Sequence, residues 1–393
     1  MEYRILGRTG LKVGAIALGC EGFADKTAEE VRADFDFAIR NGINFLDLYA
    51  SNPELRSNIG AALAGRREKF VIQGHLCSVW EEGQYLRTRD PEKSLAAFED
   101  LLARLGTDYV EIGMIHYVDT EADLSEVLDG PIMRLAQRLR SEGRIRHIGL
   151  SSHNPVVAHM AARTGLIDVL MFSVNPCYDL LPPSDDVDTL WADESYAREL
   201  HNIDPERQRL YEFCEREGIA IDVMKAYGGG DLLSDANSPF GRPMTPVQCL
   251  EYALTRPGVA AVMAGWRRRG RDGTAAGRSR AEIEAALGWC SATAAERDYT
   301  GALAGLDKFS WEGHCMYCGH CAPCSVGIDI AGVNKYYNLT LAQHEIPETV
   351  REHYRLLPHH ASECIACGRC ERNCPFGVDI IGHMRLAAAK FGY

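Results

Sequence analysis

Eight short apolar runs alternate with amphipathic helical stretches, and two four-cysteine runs follow them. This order predicts an α/β chain: a (β/α)8 TIM barrel over residues 1–300, then a small α-rich iron–sulfur domain over residues 301–393. The strand-like runs are Ala15–Leu18, Asn44–Leu48, Phe70–Gln73, Val110–His116, His147–Leu150, Val169–Val174, Ile219–Met224 and Val259–Ala264. Barrels of this class build their sites at the C-terminal ends of the strands. That rule singles out Cys20, Asp47, His75, His116, Ser151, Asn175, Lys225 and the segment after Ala264.

Residues 3–13 read as an opening hairpin with its turn near Thr9-Gly10. Ala28–Asn41 is helical by spacing: Val31, Phe35, Phe37 and Ala38 supply the apolar side, and Asn41-Gly42 stops it. Pro91–Leu105 repeats the pattern with Leu95, Phe98, Leu101 and Leu102. His153-Asn154-Pro155 is placed to cap the helix after the fifth strand.

Two connections are longer than a barrel needs. Residues 179–208 are acidic and proline-marked, contain Trp191 and Tyr196, and read either as a substrate lid or as a solvated excursion. Residues 266–281 hold six arginines, Arg267 and Arg268 among them, against the single acid Asp272. Arginine suits phosphate and carboxylate, so this loop is either an anion site or a solvated basic loop. Ala294–Asp307 then closes the barrel, and Ile330–Leu341 and Ile346–Leu357 are expected helices of the second domain.

Cys315, Cys318, Cys321 and Cys324 form C-x2-C-x2-C-x2-C; Cys364, Cys367, Cys370 and Cys374 form C-x2-C-x2-C-x3-C before Pro375. In the second pattern three close thiolates hold one [4Fe–4S] cluster and the fourth cysteine reaches the other. The expected metal ligands are therefore Cys315, Cys318, Cys321 and Cys374 for one cluster, and Cys364, Cys367, Cys370 and Cys324 for its neighbour. This makes the domain ferredoxin-like, with two [4Fe–4S] clusters. A pair of zinc sites is the alternative, because C-x2-C pairs also suit zinc.

Hydrophobic content of 46% supports a real core. A formal charge of −13 speaks against nucleic acid or an anionic membrane as general partner. No apolar segment follows Met1-Glu2-Tyr3-Arg4, and no apolar run approaches a membrane span. Fourteen cysteines without an export signal point to the reducing cytoplasm.

Longer stretches carry a family likeness. Tyr3-Arg-Ile-Leu-Gly-Arg-Thr-Gly-Leu-Lys-Val13, Gly42-Ile-Asn-Phe-Leu-Asp47 and Asp108-Tyr-Val-Glu-Ile-Gly-Met-Ile-His116 are three. Gly143-Arg-Ile-Arg-His-Ile-Gly-Leu-Ser-Ser152, Gly218-Ile-Ala-Ile-Asp-Val-Met-Lys225 and Glu296-Arg-Asp-Tyr299 extend it. The barrel resembles the aldo/keto reductase superfamily, and the whole chain resembles its bacterial branch with a C-terminal dicluster domain. That resemblance implies carbonyl reduction with NAD(P)H through an Asp–Tyr–Lys–His tetrad. Asp47 and His116 match two members, whereas Asn52 stands at the tyrosine position and His75 at the lysine position. Tyr49, two residues after Asp47, is a candidate to fill the vacancy from another backbone position. The family's nicotinamide-binding Ser-Asn pair aligns with Ser151 and Ser152, and its glutamine with Met171. Lys225, Gly228 and Gly229 lie in a glycine-rich loop able to cradle phosphate.

The catalytic expectation is therefore Asp47, Tyr49, Asn52, His75 and His116 at the barrel mouth, in acid–base roles or around a divalent metal. Cofactor contacts are expected from Ser151, Ser152, Lys225, Gly228, Gly229, Arg267 and Arg268. The leading function is an oxidoreductase that moves electrons through two clusters to or from a small carbonyl or hydroxylated substrate, with ferredoxin or flavodoxin as donor. Two alternatives stay open. One is a non-redox lyase or isomerase with structural or regulatory clusters; the other is a conventional NAD(P)H-dependent carbonyl reductase with an accessory electron-transfer domain.

Overall fold

The computed structural model describes residues 1–24, 26–265, 278–341, 346 and 348–393. Eight parallel strands close a barrel. They are β1 (Ile16–Gly19), β2 (Phe45–Leu48), β3 (Val71–Leu76), β4 (Val110–Ile115), β5 (Ile145–Ser152), β6 (Val169–Ser173), β7 (Ala220–Met224) and β8 (Val259–Gly265). Each pairs with the next, and β8 returns to β1. All eight expected strands are present, with ends shifted by a few residues. Strands covered on both faces read as continuous apolar runs rather than alternating ones, which is why they stand out in the sequence; β4 is buried throughout.

The helices start where the sequence supplies caps. Asn52, Asp90, Asn154 and Asp204 each accept a backbone N–H in the first turn, and proline follows each of them at the first helical position. Thr27 and Thr245 form reciprocal capping boxes with Glu30 and Gln248.

The opening hairpin pairs Tyr3–Ile5 with Lys12–Gly14 and plugs the N-terminal end of the barrel. Its Leu6 and Val13 pack with Ala17, Phe45, Met171 and Ala261 in an inner apolar cluster. Gly7 is required there: its φ is +51°, and a Cβ would lie 2.3 Å from the Gly218 carbonyl oxygen.

The other end carries two covers. The sequence reading contained no hairpin after β3, yet Ser78–Glu81 pairs antiparallel with Gln84–Arg87. Glu82 and Gly83 make its tight turn with positive φ at both positions. The second cover is the 179–208 connection. Its root is buried: Asp179 accepts from the hydroxyls of Tyr211 (2.5 Å) and Tyr252 (2.8 Å) and lies 3.6 Å from Arg207. Leu200–His201 then pairs in parallel with Phe309–Ser310, where the chain enters the cysteine-rich region.

That region contains helices Ile330–Leu341, Glu348–Arg355 and Ile380–Phe391 and packs on the outer wall of the barrel. Lys335 pairs with Glu215 at 2.7 Å, His320 with Asp298 at 3.0 Å, and the Tyr299 hydroxyl donates to the Met316 carbonyl at 2.6 Å. Among the described residues, no helix is long and apolar enough to cross a membrane.

Candidate active site and cysteine cavities

A hydrogen-bond chain crosses the barrel interior and surfaces at the mouth. Asp222 on β7 and Asp47 on β2 both accept from the Gln73 amide nitrogen on β3, at 3.0 and 2.9 Å. The same Asp47 Oδ1 lies 2.8 Å from His75 Nε2, and His75 Nδ1 lies 2.8 Å from His116 Nδ1. With both rings neutral, the network assigns the tautomers. A carboxylate only accepts, so His75 carries its proton on Nε2 and its Nδ1 accepts. His116 then carries its proton on Nδ1, leaving Nε2 as the nitrogen with a free lone pair.

Aromatic rings enclose His116. Tyr49 stacks parallel to it at 5.6 Å between centroids, and Tyr85 of the second hairpin meets it edge-on at 5.6 Å. Arg89 clamps its backbone, donating to the His116 carbonyl at 2.9 Å and the Tyr117 carbonyl at 2.7 Å while forking onto Asp123. Burial, the largest cause, holds His116 well below the usual imidazole range, and the neighbouring Arg89 guanidinium pushes the same way. A base shifted this way is unprotonated from acid pH upward. If neutral His116 drives turnover, the acid limb of its pH–rate profile is expected below the free imidazole value of about 6.5. A limb at or above that value would show that another group is responsible.

Tyr49 behaves unlike a phenol activated by a neighbouring cation. Burial, then its hydrogen bond to the Glu21 carboxylate and the Asp47 charge, all raise its pKa, so it stays a neutral phenol with its proton held by Glu21. Asp222 is fully buried, and burial with the Asp47 charge favours its protonated form.

The structure brings Asp47, Tyr49, His75 and His116 together. It places Asn52 elsewhere: its Oδ1 accepts from Leu55 N–H at 2.9 Å and caps helix Pro53–Leu63. The serine pair is also engaged within the protein. Ser151 Oγ accepts from Tyr117 N–H at 2.8 Å, and Ser152 donates to Asp119 at 3.0 Å. Asp119 in turn bonds His153 Nδ1 at 2.9 Å. Lys225, at φ +59°, places its ammonium 4.3 Å from the Trp191 ring of the long connection. Gly228 and Gly229 follow in a tight turn with positive φ. Arg267 and Arg268 lie outside the described residues. Cys20 and Cys77 are buried with raised thiol pKa values, the opposite of a reactive thiolate.

The sequence reading missed Gln73, Asp222, Tyr85 and Arg89. An acid inside an apolar strand was the available signal for Asp222, and a lone amide in β3 for Gln73. A divalent metal between Asp47, His75 and His116 does not fit this geometry, because both ring nitrogens of His75 are used within the chain. Among the described residues, no three His, Cys, Asp or Glu side chains gather as for a single ion.

The cysteines instead surround two cavities. One is lined by Cys315, Cys318, Cys321 and Cys374 with Met316, Phe376 and Ile380. The other is lined by Cys324, Cys364, Cys367 and Cys370 with Ile328, Ile365 and Met384. Each run therefore sends its fourth cysteine to the other's cavity. Four sulfurs around an apolar cavity fit a cubane cluster better than one zinc ion, which needs its four ligands at about 2.3 Å.

Fold and sites together define a (β/α)8-barrel protein with an appended cysteine-rich lobe. Comparison with known proteins gives both parts a family. An aldo/keto reductase family model matches residues 11–257, and a 4Fe-4S dicluster domain model matches residues 314–379. The chain belongs to the aldo/keto reductase family. The uncharacterized oxidoreductase YqkF of Bacillus subtilis is 28% identical over 179 residues, covering 44% of this chain and 56% of that protein. L-galactose dehydrogenase of Arabidopsis thaliana is 29% identical over 203 residues, covering 46% and 61%. L-glyceraldehyde 3-phosphate reductase of Escherichia coli K12 is 30% identical over 165 residues, covering 39% and 46%. The chain thus spans about half the length of the curated relatives it matches. Among solved structures, the holo form of aldo-keto reductase AKR11C1 from Bacillus halodurans superposes with TM-score 0.56 at 23% identity, over 76% of this chain and 94% of that one. At that identity the likeness speaks for the fold.

Proposed function

We propose that this chain is an iron–sulfur oxidoreductase that moves electrons through two [4Fe–4S] clusters to or from a small carbonyl or hydroxylated substrate at the barrel mouth. The observation that carries the reading is the Asp47–His75–His116 chain, which ends in a proton-exchanging nitrogen, in the same polypeptide as two four-cysteine cavities. Cys315, Cys318, Cys321 and Cys374 hold one cluster, and Cys324, Cys364, Cys367 and Cys370 the other. A carbonyl-to-hydroxyl conversion takes two electrons and two protons: two bound clusters would supply one electron each, His116 the proton on oxygen, and water the proton on carbon. His116 Nε2 accepts the proton of a substrate hydroxyl, or returns one to a carbonyl oxygen, while Asp47 through His75 stabilises the imidazolium that forms. Tyr49, whose hydroxyl proton is donated to Glu21, stacks on His116 and walls the ring on that side. Relatives named for L-galactose and for L-glyceraldehyde 3-phosphate support a polyhydroxylated substrate class.

The residues at the nicotinamide position do not fit NAD(P)H. Ser152 is spent on Asp119, and Met171 offers an amide neither donor nor acceptor of ordinary strength. A ferredoxin or flavodoxin donor fits the second cavity, where Cys367 is exposed and Ile365 is 62% exposed beside it.

The test is anaerobic. Dithionite-reduced holoprotein is mixed with aldoses, ketoses and their phosphates, and cluster absorbance is followed beside product. The reading expects reoxidation in step with substrate reduction. Clusters that stay reduced through full conversion would overturn it.

A further inference from the structure

One peptide unit in the cysteine lobe is held at both ends. Between Met316 and Tyr317, the N–H faces Cys315 Sγ. The carbonyl of the same peptide accepts from Arg256 Nη2 and, at 2.6 Å, from the Tyr299 hydroxyl. Tyr317 has φ +56°, which turns the peptide into this orientation. Arg256 comes from the barrel, in the turn between helix Pro246–Leu254 and β8, and is 2% exposed. Its guanidinium lies 4.6 Å from the Tyr252 ring and 5.3 Å from the Tyr317 ring, and among the described residues its buried Nη1 has no partner.

We propose that Arg256, acting through the Met316–Tyr317 peptide, is a positioning residue that raises the reduction potential of the cluster held by Cys315, Cys318, Cys321 and Cys374. The inference rests on the cluster assignment above. A cation on the carbonyl oxygen polarises the peptide and strengthens its N–H···S bond. Hydrogen bonds to cysteine sulfur and nearby charge set cluster potentials. Reduction adds one negative charge, and a buried guanidinium favours it with little screening. The other cavity has Arg369 in its lining, but that side chain is exposed and water screens it. The result is a gradient that draws electrons inward from the exposed Cys367 side to the cluster against the barrel.

The test uses holoprotein Arg256→Met and Tyr299→Phe in an EPR-monitored redox titration without substrate. For Arg256→Met, one of two midpoint potentials should fall. At fixed poise the ratio of reduced to oxidised centre should drop about tenfold, equivalent to about 59 mV for a one-electron couple. Tyr299→Phe should give a smaller fall of the same centre, with the second potential unmoved in both. Unchanged potentials at full iron content, or equal shifts of both centres, would overturn the proposal. If Arg256→Met loses iron, Tyr299→Phe decides alone, and no shift there counts against it. Because no substrate is present, a positive result stands even if the proposed turnover fails.

Discussion

His75→Ala is expected to lower kcat by about 10²–10⁴-fold with iron content unchanged. Among the described residues His75 links the Asp47 carboxylate to His116, bonded to both at 2.8 Å. Its loss frees the tautomer of His116 and removes the charge that stabilises a protonated ring. Substrate binding rests on the mouth walls, so KM should move far less than kcat. Steady-state kinetics with a viologen donor separates this from impaired electron entry. Asn52→Ala is the contrast. It removes a helix cap worth about 1 kcal/mol and should leave kcat close to wild type. If Asn52→Ala were as damaging as His75→Ala, the acid–base assignment would fall.

Cys374→Ser is expected to remove one cluster, and not the one nearest in sequence. Cys374 belongs to the second run, yet it lines the cavity of Cys315, Cys318 and Cys321. Iron and sulfide should fall by about half, and the surviving EPR signal should belong to the cavity of Cys324, Cys364, Cys367 and Cys370. Cys324→Ser should leave the opposite centre. Loss of the sequence-local cluster in each variant would show that the two runs do not exchange ligands.

Both results depend on features that were unequally legible in the sequence. The barrel strands were readable because burial on both faces removes polar residues from them, as in Val110–Ile115. The destination of Cys374 was readable from its x3 spacing before Pro375, whereas Cys324, at x2 with Ser325 after it, followed only by analogy with the second run. Tyr49 was readable only as a candidate, because whether its ring reaches His116 depends on how the chain leaves β2. Asn52 was misplaced because a superfamily position says nothing about a local cap, and Asn-Pro at a helix start is a strong one. Gln73 and Asp222 escaped because they are partners only across the barrel, from strands separated by 149 residues. The hairpin Ser78–Arg87 escaped because Glu82 must adopt positive φ, which few residues other than glycine and asparagine signal.

The short parallel pairing of Leu200–His201 with Phe309–Ser310 has a consequence for the living cell. It stitches the flap over the mouth to the segment from which the cysteine lobe hangs. The expectation that follows is that cluster binding in the lobe steadies the 179–208 connection through this pairing. Limited proteolysis within residues 179–208 should accordingly be faster for metal-free than for loaded protein, and equal rates would mean that the seam holds unaided.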